Sequence, residues 1–358
     1  METLACVDKP KLEMNLPLVS VIIRTNVQRK GCLAEAIDSV LKQTYQYIEL
    51  VIVENGSEEL EDWLSRYEIE NGSRIISYYH SAFFDRCAAG NIGLAEAKGE
   101  YLCFLDDDDL FYPEHIQFLV SELEARKDVA AAYSLAEEIP SEISSYTPFI
   151  HEDGTKKLSF QRTFSRGALF VNNNLAIQCV LFRKSLFVKH GGFDPELERL
   201  EDWNLWVRYA SKDDFIFVNH VGSMYRTPFS IHEILLRDKM LDRYYSRARE
   251  KQKDVVVEID EKLITEILAE IFRVTKITSL VFSKFSKSMV INSYTFKQSF
   301  SKHKVNQQQK YTSNVLEAIK LANQIVLEKK LLWMMHRTET TLKKLLHLSL
   351  FKRLWFRS

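Results

Sequence analysis

The sequence predicts an α/β fold, in which a mostly parallel sheet is flanked by helices, followed by an all-α C-terminal region. Short apolar runs alternate with amphipathic segments five times in the first 136 residues, which is typical of parallel strands joined by crossover helices. The runs are almost continuously apolar, as in strands covered on both faces. Beyond about residue 231 the chain has neither glycine nor proline, which favours helices. We therefore expect an N-terminal extension (1–16), an α/β domain (17–230) and a helical C-terminal region (231–358).

The individual elements follow from local patterns. Helices are predicted between the strands because apolar residues recur at intervals of three and four, as at Leu33, Ala36, Ile37 and Val40. After residue 137 the alternation stops, and the Ser-, Thr- and charge-rich residues 138–168 are predicted to form a long loop or hairpin. The predicted strands cover 18–25, 48–54, 74–80, 101–105, 129–136 and 175–182, a closing pair lies near 214–227, and a further helix covers 201–210.

Composition narrows the class of protein. Apolar residues make up 46% and charged residues 27% of the 358 positions, as in water-soluble globular proteins. The five cysteines form no CxxC pair, so we expect free thiols in a reducing compartment and no zinc site. The first residues lack the apolar core of a signal peptide, and no apolar run is long enough to span a membrane. A cytoplasmic location is expected.

Charge is distributed unevenly along the chain. The first 235 residues hold 23 Lys and Arg against 37 Asp and Glu, whereas the remaining residues hold 25 against 12. An acidic front and a basic back suggest two parts with different partners. Because the overall charge is near zero and no nucleic-acid-binding motif occurs, nucleic acid is not an expected partner.

One stretch requires a chemical explanation. The sequence GEYLCFLDDDDLFYP, residues 99–113, passes from an apolar run into four consecutive aspartates, Asp106 to Asp109. Carboxylates this close repel one another and raise one another's pKa. We therefore expect either a surface position or positively charged partners among the four acids. A helix N-cap alone would need one acid, not four.

Polar clusters occur where open α/β sheets bind their ligands, beyond the carboxyl ends of strands. Each cluster can also be explained simply as a turn or a helix end. Asn55-Gly56-Ser57, for example, would suit a turn, and Glu201-Asp202 a charge pair at a helix N-terminus. Carboxylates at a rigid strand end suit Mg²⁺ or Mn²⁺, and Mg²⁺ is usually held by one or two carboxylates together with substrate phosphates. The aspartates therefore indicate a phosphorylated ligand. The clusters are Thr25-Asn26, Glu54 to Ser57, Asp106 to Asp109 and, at a helix start, Glu201-Asp202.

Two common phosphate-binding patterns are absent. The chain contains no GxxxxGK[ST] sequence, which excludes a P-loop, and no GxGxxG follows the first strand, so a dinucleotide fingerprint is not supported. An aspartyl-phosphate phosphatase would need its aspartates on the first strand and a later lysine motif, whereas here they follow the fourth strand. This class is therefore disfavoured.

Five linked motifs resemble those of the family 2 glycosyltransferases, which have the GT-A fold. The resemblance covers residues 17–227, in order and at ordinary spacing. It implies an inverting, metal-dependent transfer of a sugar from a nucleoside-diphosphate sugar, most simply a UDP-sugar, to a hydroxyl group. The motifs are PLVSVIIRTN, AIDSVLKQTYQYIELVIVENGS, AAGNIGLAEAKGEYLCFLDDDDLFYPEHI, GGFDPEL and EDWNLWVR.

The resemblance also implies roles for individual residues. Asp202 matches the catalytic base, which must remove the acceptor's proton as the new bond forms, and Glu201 beside it orients its surroundings. Asp106 to Asp108 match the DXD motif, with Asp108 and Asp106 as ligands of Mn²⁺ or Mg²⁺. The residues expected to bind the nucleotide sugar are Thr25, Asn26, Glu54, Asn55, Arg86, Asn91, Asp106 and Asp107.

The chain departs from the family pattern at three places. Glu54 stands where the family usually has aspartate, and Gly90-Asn91 where it commonly has Arg-Asn, so that Arg86 is expected to supply the positive charge. The histidine usually found after Tyr225-Arg226 is missing, and His220 and His232 are the candidates to replace it. A catalytically silent relative that binds a nucleotide sugar or an assembly partner is therefore an alternative to the enzyme.

The basic end of the chain has two open interpretations. Residues 301–358 hold 12 Lys and Arg against 3 Asp and Glu, interleaved with leucine and tryptophan. They would suit amphipathic helices on an anionic membrane, or helices that pack on the rest of the chain or on a second subunit in a homodimer. Attachment to the inner face of the cytoplasmic membrane would fit a glycan or lipid-linked acceptor in cell-surface polysaccharide synthesis.

Overall fold

The computed structural model describes residues 16–56, 59–71, 76–82, 84–274 and 311–314. The chain divides into two compact units that alternate along the sequence. The first unit contains the chain up to residue 161, residues 177–195 and residues 216–234. The second contains residues 162–176, 196–215 and the chain from residue 235 onward.

The first unit is built on a ten-stranded mixed sheet with the order β3-β2-β1-β4-β9-β6-β10-β5, with β7 and β8 paired to β6. Strands β1 to β4 are parallel, and β9 runs antiparallel to both β4 and β6. The strands are β1 (Val19–Thr25), β2 (Ile48–Asn55), β3 (Ile76–Ser81), β4 (Tyr101–Asp106), β5 (Leu110–Phe111), β6 (Ala131–Tyr146), β7 (Phe149–Asp153), β8 (Lys157–Ser159), β9 (Val180–Arg183) and β10 (Phe215–Pro228). The predicted α/β class is confirmed.

Helices cover both faces of the sheet. Val21 and Ile23 of β1 belong to the core under α1 and α4, whereas Ile22 points to the other face, where it lies against Gly93 of α3. This alternation explains why β1 is apolar throughout. The helices are α1 (Lys30–Leu41), α2 (Glu61–Asn71), α3 (Arg86–Glu96), α4 (His115–Ala125), α5 (Arg166–Val171), α6 (Lys184–His190), α7 (Glu201–Tyr209), α8 (Ile231–Lys251) and α9 (Glu261–Val274), with 3-10 turns at 27–29, 177–179 and 252–254.

The register of the sheet brings three of the polar clusters to one edge. β1 lies between β2 and β4, with Thr25 paired to Glu54 and Arg24 paired to Asp106. Since all three strands are parallel, their carboxyl ends lie side by side. The sequence-predicted clusters after strands one, two and four therefore meet at the same place in the first unit.

Some predicted elements differ from the observed ones. Residues 214–227 form one strand, β10, not two. Gly222, which lies between the two predicted strands, is a position of close packing, because a Cβ there would lie 2.1 Å from Nδ1 of His115. The segment 175–182 begins as a 3-10 turn and becomes a strand only at Val180. Residues 138–159 do form the predicted hairpin, built by the long β6 with β7 and β8.

The second unit combines α5, α7, most of α8, α9 and a short antiparallel pair, β11 (Val256–Ile259) with β12 (Tyr311–Asn314). The helical C-terminal region is confirmed for the described residues, and this small sheet is an addition to it. α9 packs closely on α5: a Cβ at Gly167 would lie 2.6 Å from the main-chain nitrogen of Ile267, and Oε2 of Glu266 accepts a hydrogen bond of 2.8 Å from the N–H of Gly167.

Three other predictions from the sequence concern the cysteines, membrane-spanning helices and the two ends of the chain. Cys32, Cys87, Cys103 and Cys179 are buried free thiols, as expected. Among the described residues, no helix is long and apolar enough to cross a membrane. The predicted N-terminal extension, except residue 16, and the basic residues 301–358, except the strand residues 311–314, lie outside the described residues.

Candidate functional site

Asp106 to Asp109, the acid loop, lie at the carboxyl end of β4 and are surrounded by arginines. Both oxygens of Asp106 accept hydrogen bonds from guanidinium groups, at 2.8 Å from Arg24 of β1 and 2.9 Å from Arg86 of α3. The Arg24 guanidinium also lies over the rings of Phe104 and Phe193, 5.5 and 5.3 Å from their centroids. Asp106 is thus fixed by two cations from different elements.

Asp107 and Asp108 share a third arginine. Nε of Arg29 lies 2.7 and 2.9 Å from the two oxygens of Asp107, and Nη2 lies 2.7 Å from Oδ2 of Asp108. Thr25 donates a further hydrogen bond of 2.7 Å to Oδ2 of Asp107. Asp107 is buried, whereas the Asp108 side chain is 29% exposed. Asp108 is therefore the carboxylate of this pair that a ligand can reach.

Asp109 and the main chain of the loop are held by Arg226 of β10. The N–H of Arg226 donates a hydrogen bond of 3.1 Å to Oδ1 of Asp109, and its guanidinium donates to the carbonyl oxygen of Asp108. The same side chain, 4% exposed, lies 3.3 Å from Oε2 of Glu35 and over the ring of Phe149. Arg226 therefore links the acid loop to α1 and to the β6–β7 hairpin.

Arginine contacts and burial shift the pKa values of three carboxyl groups of the acid loop in different directions. Burial alone would raise the pKa of Asp106, but Arg24 and Arg86 hold it well below its usual value. Burial and the neighbouring charge of Asp108 raise the pKa of Asp107 to about 7, against the attraction of Arg29. Burial, Asp108 and Asp106 also raise the pKa of Asp109 well above its usual value. The loop thus has one firmly ionised carboxylate and two that hold a proton more tightly.

Sequence reasoning predicted positive partners for the acid loop but not which residues they are. Arg86 was predicted to supply positive charge, whereas Arg24, Arg29 and Arg226 were not selected. Arg24 lies near the end of the first strand and Arg29 in the turn after it, and both were detectable in principle, since that strand neighbours the fourth in this topology. Arg226 lies 117 residues from Asp109 and has no local signal.

Glu54 of β2 is held by hydrogen bonds within the first unit. It is fully buried, and its Oε2 accepts hydrogen bonds from the N–H groups of Glu59 and Leu60, at 3.0 and 2.9 Å, and from the Tyr78 hydroxyl, at 2.6 Å. The carboxylate therefore secures the turn before α2. These hydrogen bonds all end on one carboxylate oxygen, and the predicted contact of Glu54 with a nucleotide base stays a prediction.

The three predicted asparagines also have structural partners. Asn26 caps the 3-10 turn after β1 through the N–H of Gln28, at 3.1 Å. The side chain of Asn55 accepts a hydrogen bond of 2.7 Å from the N–H of Asp85, just before α3. Asn91 donates to and accepts from the main chain of Phe193, at 3.0 and 2.7 Å. They shape the loops around the acid loop.

The glycine at position 90 has a steric explanation. A Cβ there would lie 2.5 Å from the ring of Phe193, the residue that also packs under Arg24. The arginine that the family commonly has at this position would not fit here. Arg86, one helical turn earlier, forms an ion pair with Asp106, and its predicted role beside a diphosphate stays a prediction.

The predicted histidines have no contact with the acid loop in the part of the chain that the structure describes. The ring of His220 packs on Phe118, with centroids 4.1 Å apart, and His232 is exposed on α8. His151 of β7 is closer to this region: its Nδ1 lies 3.0 Å from Asp153, and its Nε2 lies 3.4 Å from the guanidinium of Arg226.

In the second unit, Glu201 and Asp202 begin α7, as predicted. The residue before them, Leu200, has a left-handed backbone with φ of 60°, an uncommon conformation for leucine that tends to occur at functional sites. Glu201 is buried, and Asp202 is half-buried. Oδ2 of Asp202 accepts a hydrogen bond of 3.1 Å from the amide of Asn173. Asn173 was not predicted.

Trp203, directly after Asp202, is anchored by two elements of the second unit, α5 and α8. Its indole N–H donates a hydrogen bond of 2.7 Å to the carbonyl oxygen of Leu169 in α5. The guanidinium of Arg249 in α8 lies 4.8 Å from the Trp203 ring and donates to the carbonyl oxygens of Phe170 and Val171. Arg249 therefore fixes both the start of α7 and the segment that leads to Asn173.

The acid loop can be tested for its fit to a divalent cation. Among the described residues, no group of three His, Cys, Asp or Glu side chains could hold a metal ion. Within that part of the chain, one oxygen of Asp108 accepts no hydrogen bond, whereas both oxygens of Asp106 are bonded to arginine. The residues fit a cation held by Asp108 together with ligand phosphates, rather than an all-protein metal site.

Comparison with known proteins adds three findings. The model of the family "Glycosyl transferase family 2" matches residues 20–190. An uncharacterized glycosyltransferase of Rickettsia typhi is 28% identical over 230 residues, which are 63% of this chain and 65% of the relative. An uncharacterized glycosyltransferase of Haemophilus influenzae is 24% identical over 78% of this chain and 88% of its own length. The chain thus spans just under two thirds of the Rickettsia typhi relative.

Solved structures show the same fold. Staphylococcus aureus TarS 1-349 in complex with UDP has a TM-score of 0.50 at 14% identity, covering 73% of this chain and 72% of TarS 1-349. The complex of TarS 1-349 with UDP-GlcNAc has a TM-score of 0.51 at 13% identity, covering 78% and 77%. At this identity the likeness establishes the fold alone.

Proposed function

We propose that the protein transfers a sugar from a nucleoside-diphosphate sugar to a hydroxyl group, which the match of residues 20–190 to the model of glycosyl transferase family 2 supports. The observation that carries this proposal is the acid loop at the carboxyl end of β4, where open α/β sheets bind their ligands. Three of its carboxylates, those of Asp106 to Asp108, pair with Arg24, Arg29 and Arg86, whose guanidinium groups suit the phosphates of a donor.

The donor proposed is a UDP-sugar. TarS structures of the same fold contain UDP and UDP-GlcNAc, which supports a uridine nucleotide. The arginines of the acid loop would hold the diphosphate of any such donor, since they recognise phosphate oxygens and not the base. The identity of the base therefore has to be tested directly with a panel of donors.

The cofactor proposed is Mn²⁺ or Mg²⁺, held by Asp108 and the donor's phosphates. When bound, such a cation offsets the negative charge that develops on the leaving diphosphate. The hydrogen bonds of Asp106 to Arg24 and Arg86 support a different role for that residue, as the group that holds these two arginines in place. Thr25 would keep Asp107 in position beside Arg29.

The proton acceptor proposed is Asp202. In the reaction, the oxygen of the acceptor hydroxyl forms a bond to the anomeric carbon while the bond from that carbon to the diphosphate breaks. The hydroxyl proton passes to the Asp202 carboxylate, and a single displacement inverts the anomeric centre. The amide of Asn173 supports this assignment, because it orients the carboxylate through a neutral donor.

The acceptor proposed is a glycan or lipid-linked sugar of cell-surface polysaccharide synthesis, with the protein attached peripherally to an anionic membrane. The basic composition of residues 301–358 supports this attachment. Deletion of residues 330–358 should release the protein from anionic liposomes in a sedimentation assay. Unchanged sedimentation would favour a packing or dimer role for that segment.

A decisive experiment measures release of free nucleoside diphosphate from UDP-, GDP- and dTDP-sugars with Mn²⁺, alongside thermal stabilisation by each donor. We expect release and stabilisation with one UDP-sugar, and loss of both when EDTA is added. Stabilisation without release under any acceptor condition would indicate the alternative, a catalytically silent binder. Neither stabilisation nor release with any donor would contradict the proposed function.

A further inference from the structure

Arg29 bonds to the carboxylate that the proposed cation would use. Its guanidinium spans two neighbouring aspartates, with Nε at 2.7 and 2.9 Å from the oxygens of Asp107 and Nη2 at 2.7 Å from Oδ2 of Asp108. A divalent cation on Asp108 would lie close to this guanidinium and be repelled by it. The cation and the present position of Arg29 are therefore in competition.

The backbone around Arg29 is fixed, whereas the guanidinium is accessible. The turn between β6 and β7 packs on the loop after β1: Thr147 donates a hydrogen bond of 3.1 Å to the carbonyl oxygen of Gln28, and a Cβ at Gly31 would lie 2.5 Å from the carbonyl oxygen of Tyr146. The guanidinium lies 4.6 Å from the centre of the Tyr146 ring, and the side chain is 21% exposed. It can therefore exchange partners without movement of the main chain.

A diphosphate is a suitable replacement partner. Guanidinium groups bind phosphate oxygens as readily as carboxylates, through two parallel hydrogen bonds. Once Arg29 bonds to the diphosphate, Asp107 and Asp108 lose the guanidinium group that neutralises them. The negative charge beside Asp108 then increases. Both changes raise the affinity of Asp108 for a divalent ion.

We propose that Arg29 couples cation binding to donor binding. Without the donor, Arg29 neutralises Asp107 and Asp108 and keeps the cation off Asp108; with the donor, it transfers to the diphosphate and frees Asp108. This inference rests on the proposed function. Because coupling between two sites is reciprocal, the donor strengthens cation binding by the same factor as the cation strengthens donor binding.

The test compares Mn²⁺ dissociation constants, measured by electron paramagnetic resonance with and without UDP. The wild-type protein should bind Mn²⁺ at least about tenfold more tightly when UDP is present, as typical coupling energies imply. Arg29→Gln should bind Mn²⁺ about tenfold more tightly than the wild type in the absence of UDP, and UDP should then add little. Arg29→Lys, which keeps the charge, should stay close to the wild type without UDP.

Lys30→Gln is the matched control, because it removes a neighbouring charge that makes no contact with the acid loop in the described part of the chain. It should leave both Mn²⁺ constants within about twofold of the wild type. Equal Mn²⁺ affinities of Arg29→Gln and the wild type, with and without UDP, would overturn this inference and leave the proposed function intact. If no variant binds Mn²⁺ even with UDP, the proposed cation site itself is wrong. Thermal melting of each variant confirms that it is folded.

Discussion

The acid loop of the first unit and the start of α7 in the second unit both present carboxylates, but they hold them with different donors. The aspartates of the acid loop accept hydrogen bonds from the guanidinium groups of Arg24, Arg29 and Arg86. Asp202 accepts hydrogen bonds from the neutral amide of Asn173 and from the main-chain N–H of Trp203. These contacts of the two regions therefore differ in whether the donor carries a charge.

This difference indicates two kinds of chemistry. A guanidinium partner lowers the pKa of a carboxylate, as at Asp106, which makes it a poor proton acceptor. The same guanidinium can exchange its carboxylate for a phosphate, so the acid loop is suited to binding a charged donor. A neutral amide fixes the direction of a carboxylate without adding charge, which suits a group that must accept a proton. The following predictions test this division of roles.

The largest expected effect is on turnover. Asp202→Asn should lower the turnover number about 10³-fold, within the range that general base catalysis contributes, and leave the Kd of the UDP-sugar unchanged. Asp108→Asn should instead abolish Mn²⁺-dependent donor binding. Isothermal titration of the donor and steady-state release of UDP measure the two quantities separately. Loss of donor binding in Asp202→Asn, or normal donor binding in Asp108→Asn, would contradict the division of roles between the two regions.

The next effect concerns the arginine that fixes the acid loop. Arg226→Met should lower the free energy of unfolding by about 1–3 kcal/mol, because the carbonyl oxygen of Asp108 loses its guanidinium donor and Glu35 loses its ion pair. Urea denaturation measures the change. The exposed ion pair of Arg126 with Asp128 provides the control, since Arg126→Met should cost less than about 1 kcal/mol. Similar costs for both variants would mean that Arg226 is not essential to the loop.

Arg249 fixes the start of α7 in the second unit, as Arg226 fixes the acid loop in the first unit. Arg249→Lys should cost about 1–2 kcal/mol of stability, because lysine cannot bond to the carbonyl oxygens of Phe170 and Val171 together. We also expect a lower turnover number with an unchanged KM for the donor, since Arg249 packs on Trp203 beside Asp202. Arg247→Lys on the same helix, with an exposed ion pair to Glu196, is the control and should change neither quantity. A raised donor KM in Arg249→Lys would contradict the separation of roles.

The central strands of the first unit could be predicted from the sequence, but the contacts between side chains of distant residues could not. β1, β2 and β4 were recognisable because each is a buried apolar run, and their common direction placed Thr25, Glu54 and the acid loop at one edge. The full length of β6 was missed, since its second half alternates polar residues and looks like a loop. The single strand β10 was divided at Gly222, where the constraint is a packed histidine rather than a turn.

The contacts of the candidate site depend on residues far apart in the chain. The need for positive charge near four aspartates followed from electrostatics alone. Which arginines supply it depends on strand neighbours and on a hairpin between β6 and β7, neither of which leaves a local pattern. Glu54 is a further case: a family motif predicts a ligand contact for it, and the hydrogen bonds from Leu60 and Tyr78 to its Oε2 add a structural role that no local pattern indicates.

The smallest expected effect tests the repulsion inside the acid loop. Asp109 has a pKa raised well above its usual value by burial and by Asp108 and Asp106, so its ionised form destabilises the folded protein at pH 8. Asp109→Asn should raise the free energy of unfolding at pH 8 by about 1 kcal/mol or more, since one unit of pKa corresponds to about 1.4 kcal/mol, and its amide oxygen can still accept the N–H of Arg226. The gain should shrink as the pH falls toward the ordinary aspartate pKa of about 4, because both the folded and the unfolded wild-type protein then hold this proton and the penalty disappears. Urea denaturation between pH 4 and 8 measures this, with Asp213→Asn in the second unit as a control for the loss of one acid. A gain that is constant between pH 4 and 8 would mean that repulsion among the aspartates does not destabilise the acid loop. The two regions would then differ only in the arginines that contact their carboxylates.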